Sequence, residues 1–504
     1  MKIINKICVS LFTVFLLTSC SENYFDVNAD VNNPTSSTPV LTLPVAQKQT
    51  MDLLTGGYNS YNTLGNLWTY QWAAGADFAF FPDEMRYVVN STFRTGNFES
   101  AYLGSMANYN YVVQNTDPKY VYFKAISKIM LAFHFQYLVD AYGNVPYTEA
   151  FKRGGNTKPV YDSAQSIYNT LITELTAAQN LISSAPPTAL AVGASDIMCG
   201  GDMNKWGKFA NTLKLRLMLR QSSKVGNSIS AVTLTSNINA SFGFLGVGET
   251  VYCNPGYLSL ISSKQNPFWD AFKLDSNGVI AANGGATRAT TYAVSNLLMQ
   301  NTDLRKPLMW KKVGANYVGI PQNGLIFTAL PSSVLSPIGD GIFKSANMPG
   351  IVMQSAESLF LQAEAAARFG VFGNDVTLYQ QGVQENFNQL GAGNVPASEF
   401  SNTGSLYYDP ANSPALKLQA IIKQKFIALI STNGYENWIE YRRTGYPASI
   451  PVARTFTSVS DPGTPVAPNV PVRLLYPSSE AATNPNVPVQ STSDAFNSKV
   501  FWQN

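Results

Sequence analysis

Between Tyr120 and Phe151 the chain reads YVYFKAISKIMLAFHFQYLVDAYGNVPYTEAF, and the spacing of its apolar residues leaves little choice of structure. Ile126, Ile129, Met130, Phe133 and Tyr137 recur at steps of three and four, which predicts an amphipathic helix burying one face in a core. Gly143 stops it, because glycine takes the left-handed conformation of a helix C-cap, and Pro146 cannot continue the ladder.

The same period recurs along much of the chain. A helix is expected from about Val40 through Leu53, ended by Gly56 and Gly57, and another from Asp162 to Ile182, broken by Pro186 and Pro187. Asp202 is a good N-cap for a helix carrying Trp206, Phe209, Leu213 and Leu217 on one side and Arg216 and Arg220 beside them. Leu359, Phe360, Ala363 and Ala367 line a helix from Ser355 to Gly370, with a second from about Val376 to Leu390. Two such helices in roughly one repeat length look like a tetratricopeptide unit, which needs stacked neighbours to bury its apolar face. Leu416 to Ile430 is the next helix, with Gly434 read as its end. From about 241 to 342 the helical period fades into glycines, prolines and short runs, as expected of hairpins and long loops. The expected fold is mainly α: a tetratricopeptide-like scaffold of helical pairs with an irregular, loop-rich region and short β-hairpins.

The amino terminus reads as an address. Lys2 and Lys6 precede the apolar run Ile7 to Leu17, too short to span a bilayer, and LTSC at 17 to 20 resembles a bacterial lipobox. That resemblance implies a signal peptide over 1–19, acylation of the Cys20 thiol, and a lipidated tether over 20–39 leading into one helical domain over 40–504. The chain would be anchored to a membrane and would not span it, since no later run reaches the ~18 apolar residues a transmembrane helix needs. Cys199 and Cys253 then remain, and an exported pair can form one disulfide.

Only 13% of the residues are charged, about half the ~25% usual for soluble domains, while 26 Tyr, 28 Phe and 7 Trp make the chain strongly aromatic. The formal charge is +3, about +1 once Lys2 and Lys6 leave with the signal. That is too little to track phosphates, so nucleic-acid binding is not expected. A near-neutral surface rich in hydroxyls, amides and rings suits sugars, whose C–H faces pack on aromatic rings. Trp206 and Trp438 sit in helical phase and read as core. Trp68 and Trp72, four apart and on one face if helical, together with Phe81, Tyr257 and Trp269, lie in or beside irregular polar stretches and are the candidate ligand-binding residues. The run FAFFPDEMRY, 78 to 87, reads as a surface loop with exposed aromatics.

Catalytic constellations are sparse. The one histidine, His134, sits mid-helix between two phenylalanines and reads as a buried, hydrogen-bonded core residue, so no histidine-based triad or HExxH site is available. Two cysteines and one histidine do not make a zinc site, no phosphate loop occurs, and no metal or other cofactor is expected. A carboxylate pair among Asp77, Asp83 and Glu84 leaves a surface glycosidase or esterase as an alternative. Arg442 and Arg443 read as a structural corner.

Four blocks carry a family resemblance: LVDAYGNVPYTEAF, GDMNKWGKFANTLKLRLMLR, GYENWIEYRRTGYP and VRLLYPSSEAATNP. Together they resemble the SusD/RagB family of outer-membrane nutrient-binding lipoproteins. The resemblance implies a non-catalytic, surface-exposed lipoprotein that captures an oligosaccharide, or a peptide as some relatives do. It implies a SusC-like TonB-dependent transporter as partner and the outer membrane as location, with Ser21 and Glu22 after the cysteine similar to Bacteroidota surface-export signals. A protein-binding adhesin is the other alternative. The blocks themselves read as scaffold, and no binding residue transfers from them.

Overall fold

The computed structural model describes residues 37–504 except 79–82, 228, 262, 296–298, 321–329, 449 and 456–463. The expected signal, Cys20 and most of the tether therefore lie outside the described residues, as does Phe81.

Helix α1, Pro39–Thr55, opens with proline at its first position, where a missing N–H costs nothing. α2, Tyr61–Trp68, is capped by the Ser60 hydroxyl, which accepts from Thr63 N at 3.4 Å. It ends at Trp68, and Trp72 lies in the short strand β1, Trp72–Ala73, so the two tryptophans do not share a helical face. A run of helix follows: Gly96–Ser100, a π-helical turn at Ala101–Met106, and α3, Ala107–Val113.

The central helix is α4, Val121–Tyr142, closed by Gly143 at φ 82°. It differs from the expectation in being buried nearly all round from Ala125 onward. Helices pack on several of its sides, α3 and α5 (Ala164–Ser183) most extensively and α6 (Met203–Gln221) as well, and its polar residues are buried because they find partners. Asp202 caps α6, its Oδ1 accepting from Lys205 N at 2.9 Å.

Beyond α6 the chain enters β2, Val251–Cys253, and makes a long excursion through loops, the short helix α7 (Pro267–Phe272) and β3 (Arg288–Ala289), before returning in β4, Gly350–Met353. β4 pairs antiparallel with β2, and β3 with β1, so the irregular region is clamped to the helical scaffold at two places. The helical pairs resume with α8 (Ser355–Phe369), capped by Gly370 in the left-handed region, and α9 (Asp375–Leu390). Then come α10 (Pro414–Leu429) and α11 (Gly434–Thr444). Gly434 thus begins a helix and does not end one; the Asn433 side chain caps α11 by accepting from Glu436 N at 3.2 Å.

One hydrophobic cluster runs from Leu43 to Trp502, and a smaller one joins α8, α9 and α10 through Phe360, Val383, Phe387 and Ile421. Several of the scarce charges are buried and paired with one another. Arg216 meets Glu357 at 3.0 Å, Arg220 bridges Asp140 and Glu436, and Arg443 grips Glu364 and Glu440 at 2.7 Å each. These residues come from α4, α6, α8 and α11, which is the physical reason the RLMLR and WIEYRR blocks are scaffold. Arg442 completes the corner, donating to the Asp140 carbonyl at 2.7 Å with its guanidinium 4.2 Å from the Trp438 ring centre.

Cys199 and Cys253 are free thiols, Cys253 fully buried, so the disulfide left open by the sequence is not formed. His134 is buried, its Nε2 2.9 Å from Thr50 Oγ1, as its apolar neighbours predicted. Among the described residues no helix is long and apolar enough to cross a membrane, and no group of metal-ligating side chains assembles.

Candidate ligand-binding face

The loop excursion meets the scaffold at the end of α2, and Trp72 is the joint. Its ring lies fully buried, stacked on Phe268 with centroids 6.0 Å apart and planes 5° from parallel, and against Phe272 at 5.7 Å. Its Nε1 donates to Ser431 Oγ at 2.9 Å, tying the excursion to the loop after α10. Trp72 is therefore a floor beneath the face and touches no solvent. Trp68 points elsewhere, stacked on Phe93 and edge-on to Trp438 at 4.8 Å, also fully buried. Both candidacies are corrected: the polar sequence around them belongs to backbone turns, while their rings go inward.

Trp269 is placed differently. Asn266 caps α7, its Oδ1 accepting from Phe268 N at 2.9 Å and Trp269 N at 3.1 Å. Adjacent residues of a helix project to different sides, so Phe268 faces Trp72 while Trp269 stays partly exposed, edge-on to Phe343 at 6.1 Å and 85°. Lys273 reaches within 5.8 Å of the Phe343 ring centre, and burial, with Lys311 nearby, lowers its pKa. Lys311 pairs with Asp340 at 2.7 Å in the open. A partly exposed ring in a region that also carries ammonium and carboxylate groups can hold a ligand with an apolar face and hydroxyls.

The described residues that precede 79–82 lie against the loop excursion. Gly75 N donates to the Gly285 carbonyl at 2.8 Å, and Asp77 accepts from Ser332 N and Oγ at 2.6 Å each. A Cβ on Gly285 would come within 2.7 Å of Phe78 Cβ, so the close approach of the two loops needs glycine there. The Ser332 bonds hold the Asp77 carboxyl below its usual range. Asp83 pairs with Arg86 at 2.5 Å, and Glu84, expected on a solvated loop, is buried against Arg94 at 2.7 Å. Each of the three is engaged by a partner, so none offers the free carboxyl that a glycosidase acid requires.

Tyr257, near Cys253, is buried, which corrects its candidacy; its hydroxyl has no partner among the described residues, and burial raises its pKa. Of the candidates among the described residues, Trp269 keeps part of its ring exposed, and the rings around it, Phe268 and Phe343, are buried and were not among the candidates. Phe343 stands in the short run GIFKS, where no periodicity marks it, and it reaches Trp269 only through the folding of the loops.

No curated protein matches the chain significantly. Solved structures do. A chitin-binding protein is 24% identical, with 91% of this chain and 99% of the other covered and a TM-score of 0.67. A chitin-binding SusD homologue from Flavobacterium johnsoniae is 21% identical over 92% and 97%, TM-score 0.69, and a SusD homologue from Bacteroides vulgatus 19% over 92% and 97%, TM-score 0.72. At these identities the likeness establishes the helical fold. The family model described as starch-binding and associating with the outer membrane matches residues 31–477, which is most of the sequence, and the chain accordingly belongs to the SusD-like family.

Proposed function

We propose that this protein is a surface lipoprotein, anchored through Cys20, that captures an oligosaccharide and hands it to a SusC-like TonB-dependent transporter without breaking a bond. Residues 40–504 act as one unit, and the loop excursion carrying Trp269 forms the capture face, with Phe81 as a further candidate for ligand contact. The observation that carries this reading is the family match over residues 31–477, whose members are described as starch-binding and outer-membrane associated. The chitin-binding names of two structural neighbours agree with a glycan. The paired carboxylates at Asp77, Asp83 and Glu84 weigh against the hydrolase alternative.

A glycan and peptide array probed with the purified chain and with Trp269→Ala tests it. Glycan binding weakened about tenfold by the substitution, with no product released, is the expected result. Hydrolysis would replace capture by catalysis, and binding to peptides alone would replace the ligand class. Trp68 is unsuitable for this test because its truncation opens the core.

A further inference from the structure

A roomy cavity lies away from Trp269 and the loop excursion. It is a cleft of about 630 Å³ between the π-helical turn Ala101–Met106 with α3 on one side and the strap 146–159 after α4 on the other. That volume falls within the ~300–1,000 Å³ of small-molecule sites. The strap is the end of the NVPYTEAF motif, to which the capture face gives no role.

Both walls carry unusual backbone. π-Helical turns are rare and recur at functional sites. Opposite, Phe151 and Arg153 sit at φ 64° and 50°, in the left-handed region that side-chain-bearing residues avoid. The walls are tied by the Tyr102 hydroxyl, which donates to the Pro146 carbonyl at 2.5 Å. With its hydroxyl spent, Tyr102 offers a ring, tilted against Phe151 at 5.8 Å. The two rings give the cleft an aromatic floor.

Polar groups around that floor are half engaged. Glu99 Oε1 accepts from Ser479 Oγ at 2.5 Å and Glu480 Oε2 from the Tyr161 hydroxyl at 2.9 Å, while the second oxygen of each has no partner among the described residues. The Arg153 guanidinium is exposed at the cleft and likewise has no partner among the described residues. Acceptors for hydroxyl protons and a donor for hydroxyl oxygens thus surround a ring platform. Fixed charges of both signs in one cleft penalise a ligand of either sign. We propose that this cleft is a second binding site for a neutral saccharide of about two or three rings, stacked on Tyr102 and Phe151 and hydrogen-bonded by Glu99, Glu480 and Arg153.

This rests on the glycan-capture reading, and the test separates the two. Maltotriose and chitotriose are titrated calorimetrically into the purified chain and into Trp269→Ala, Arg153→Gly and Ala150→Trp. Glycine fits the backbone at 153, so that variant keeps the fold, and the tryptophan fills the cleft; thermal melts check both. The expected result is two sites on the wild type. Trp269→Ala keeps the cleft site, Arg153→Gly weakens that site about tenfold, and Ala150→Trp abolishes it. If Trp269→Ala removes all binding while Arg153→Gly changes nothing, the cleft proposal falls and capture stands. If the cleft variants remove all binding and Trp269→Ala none, the cleft stands and the loop face falls. Absence of trisaccharide binding to every form overturns the cleft proposal, and the array then decides the ligand class.

Discussion

His134 is an acid-sensitive element with no charge to balance it. Burial lowers its pKa from 6.5 to about 3, and its contacts are the Thr50 hydroxyl and the rings of Tyr109 and Phe133. Between those two values the unfolded chain binds a proton that the native one does not, so this residue's contribution to stability falls as pH drops from about 6.5 toward 3. The slope is about 1.4 kcal/mol per pH unit. His134→Gln, which retains a hydrogen-bonding side chain and does not titrate, should lose stability less steeply over this range by that amount. Urea midpoints at pH 7, 5 and 4 measure it, and parallel curves for the two proteins would refute it. The burial of His134 was readable because the apolar residues flanking it mark a helix that is buried at that point, whereas its partners Thr50 and Tyr109 were not. Depth was not readable for Trp68 and Trp72, since the groups that bury them, Trp438, Phe268 and Ser431, lie about 200 to 370 residues away and leave no local mark.

At the scale of elements, glycines and charges set how closely the helices pack. α2 crosses the start of α11 so tightly that a Cβ on Gly65 would lie 2.0 Å from the backbone carbon and oxygen of Gly434. No side chain can yield there, so Gly65→Ala should cost about 3 kcal/mol or more, whereas Gly104→Ala, whose nearest neighbour is the Gln49 side chain at 3.8 Å, should be neutral or slightly stabilising. Denaturant unfolding of the pair decides, and equal effects would exclude a backbone clash. Reading Gly434 as a stop was reasonable from sequence, because a glycine after an apolar run normally caps a helix; what keeps it small is α2, far away in sequence. The buried charges make a second prediction. Arg443→Met leaves Glu364 with Arg368 at 2.6 Å and Glu440 with Lys425 at 3.5 Å, poorer partners for two buried carboxylates, and should cost about 3–5 kcal/mol. A melting temperature unchanged at neutral pH would mean that the pair adds nothing. Helix caps such as Asp202 and Gly370 were legible because capping is local, whereas the partners of Arg216, Arg220 and Arg443 are a property of four helices at once.

Across the whole molecule, the chain returns to close its own centre. Leu474 N donates to the Ala141 carbonyl at 2.8 Å, and Trp502, fully buried, donates from Nε1 to Asp140 Oδ1 at 2.8 Å. Asp140 is also held by Arg220 and the Tyr168 hydroxyl, so the C-terminal segment completes the polar junction of the central helix. The guanidinium groups of Arg442 and Arg220 lie 4.9 and 5.8 Å from the Trp502 ring centre, and Gln503 Oε1 accepts from Arg442 at 3.1 Å. Removing residues 500–504 therefore deletes a buried indole, worth about 3–5 kcal/mol, and leaves Asp140 and Arg442 each short of a partner. The melting temperature should fall by about 5–10 °C. Because the hydrophobic cluster is continuous from Leu43 to Trp502, the loss should displace one cooperative calorimetric transition and not create a second, weaker one. A truncated chain that melts at the wild-type temperature would show the C-terminal segment to be an appendage. Two resolved transitions would divide the region that we propose, over 40–504, to fold as one unit, and would place the loop excursion and the central helix in separately stable parts.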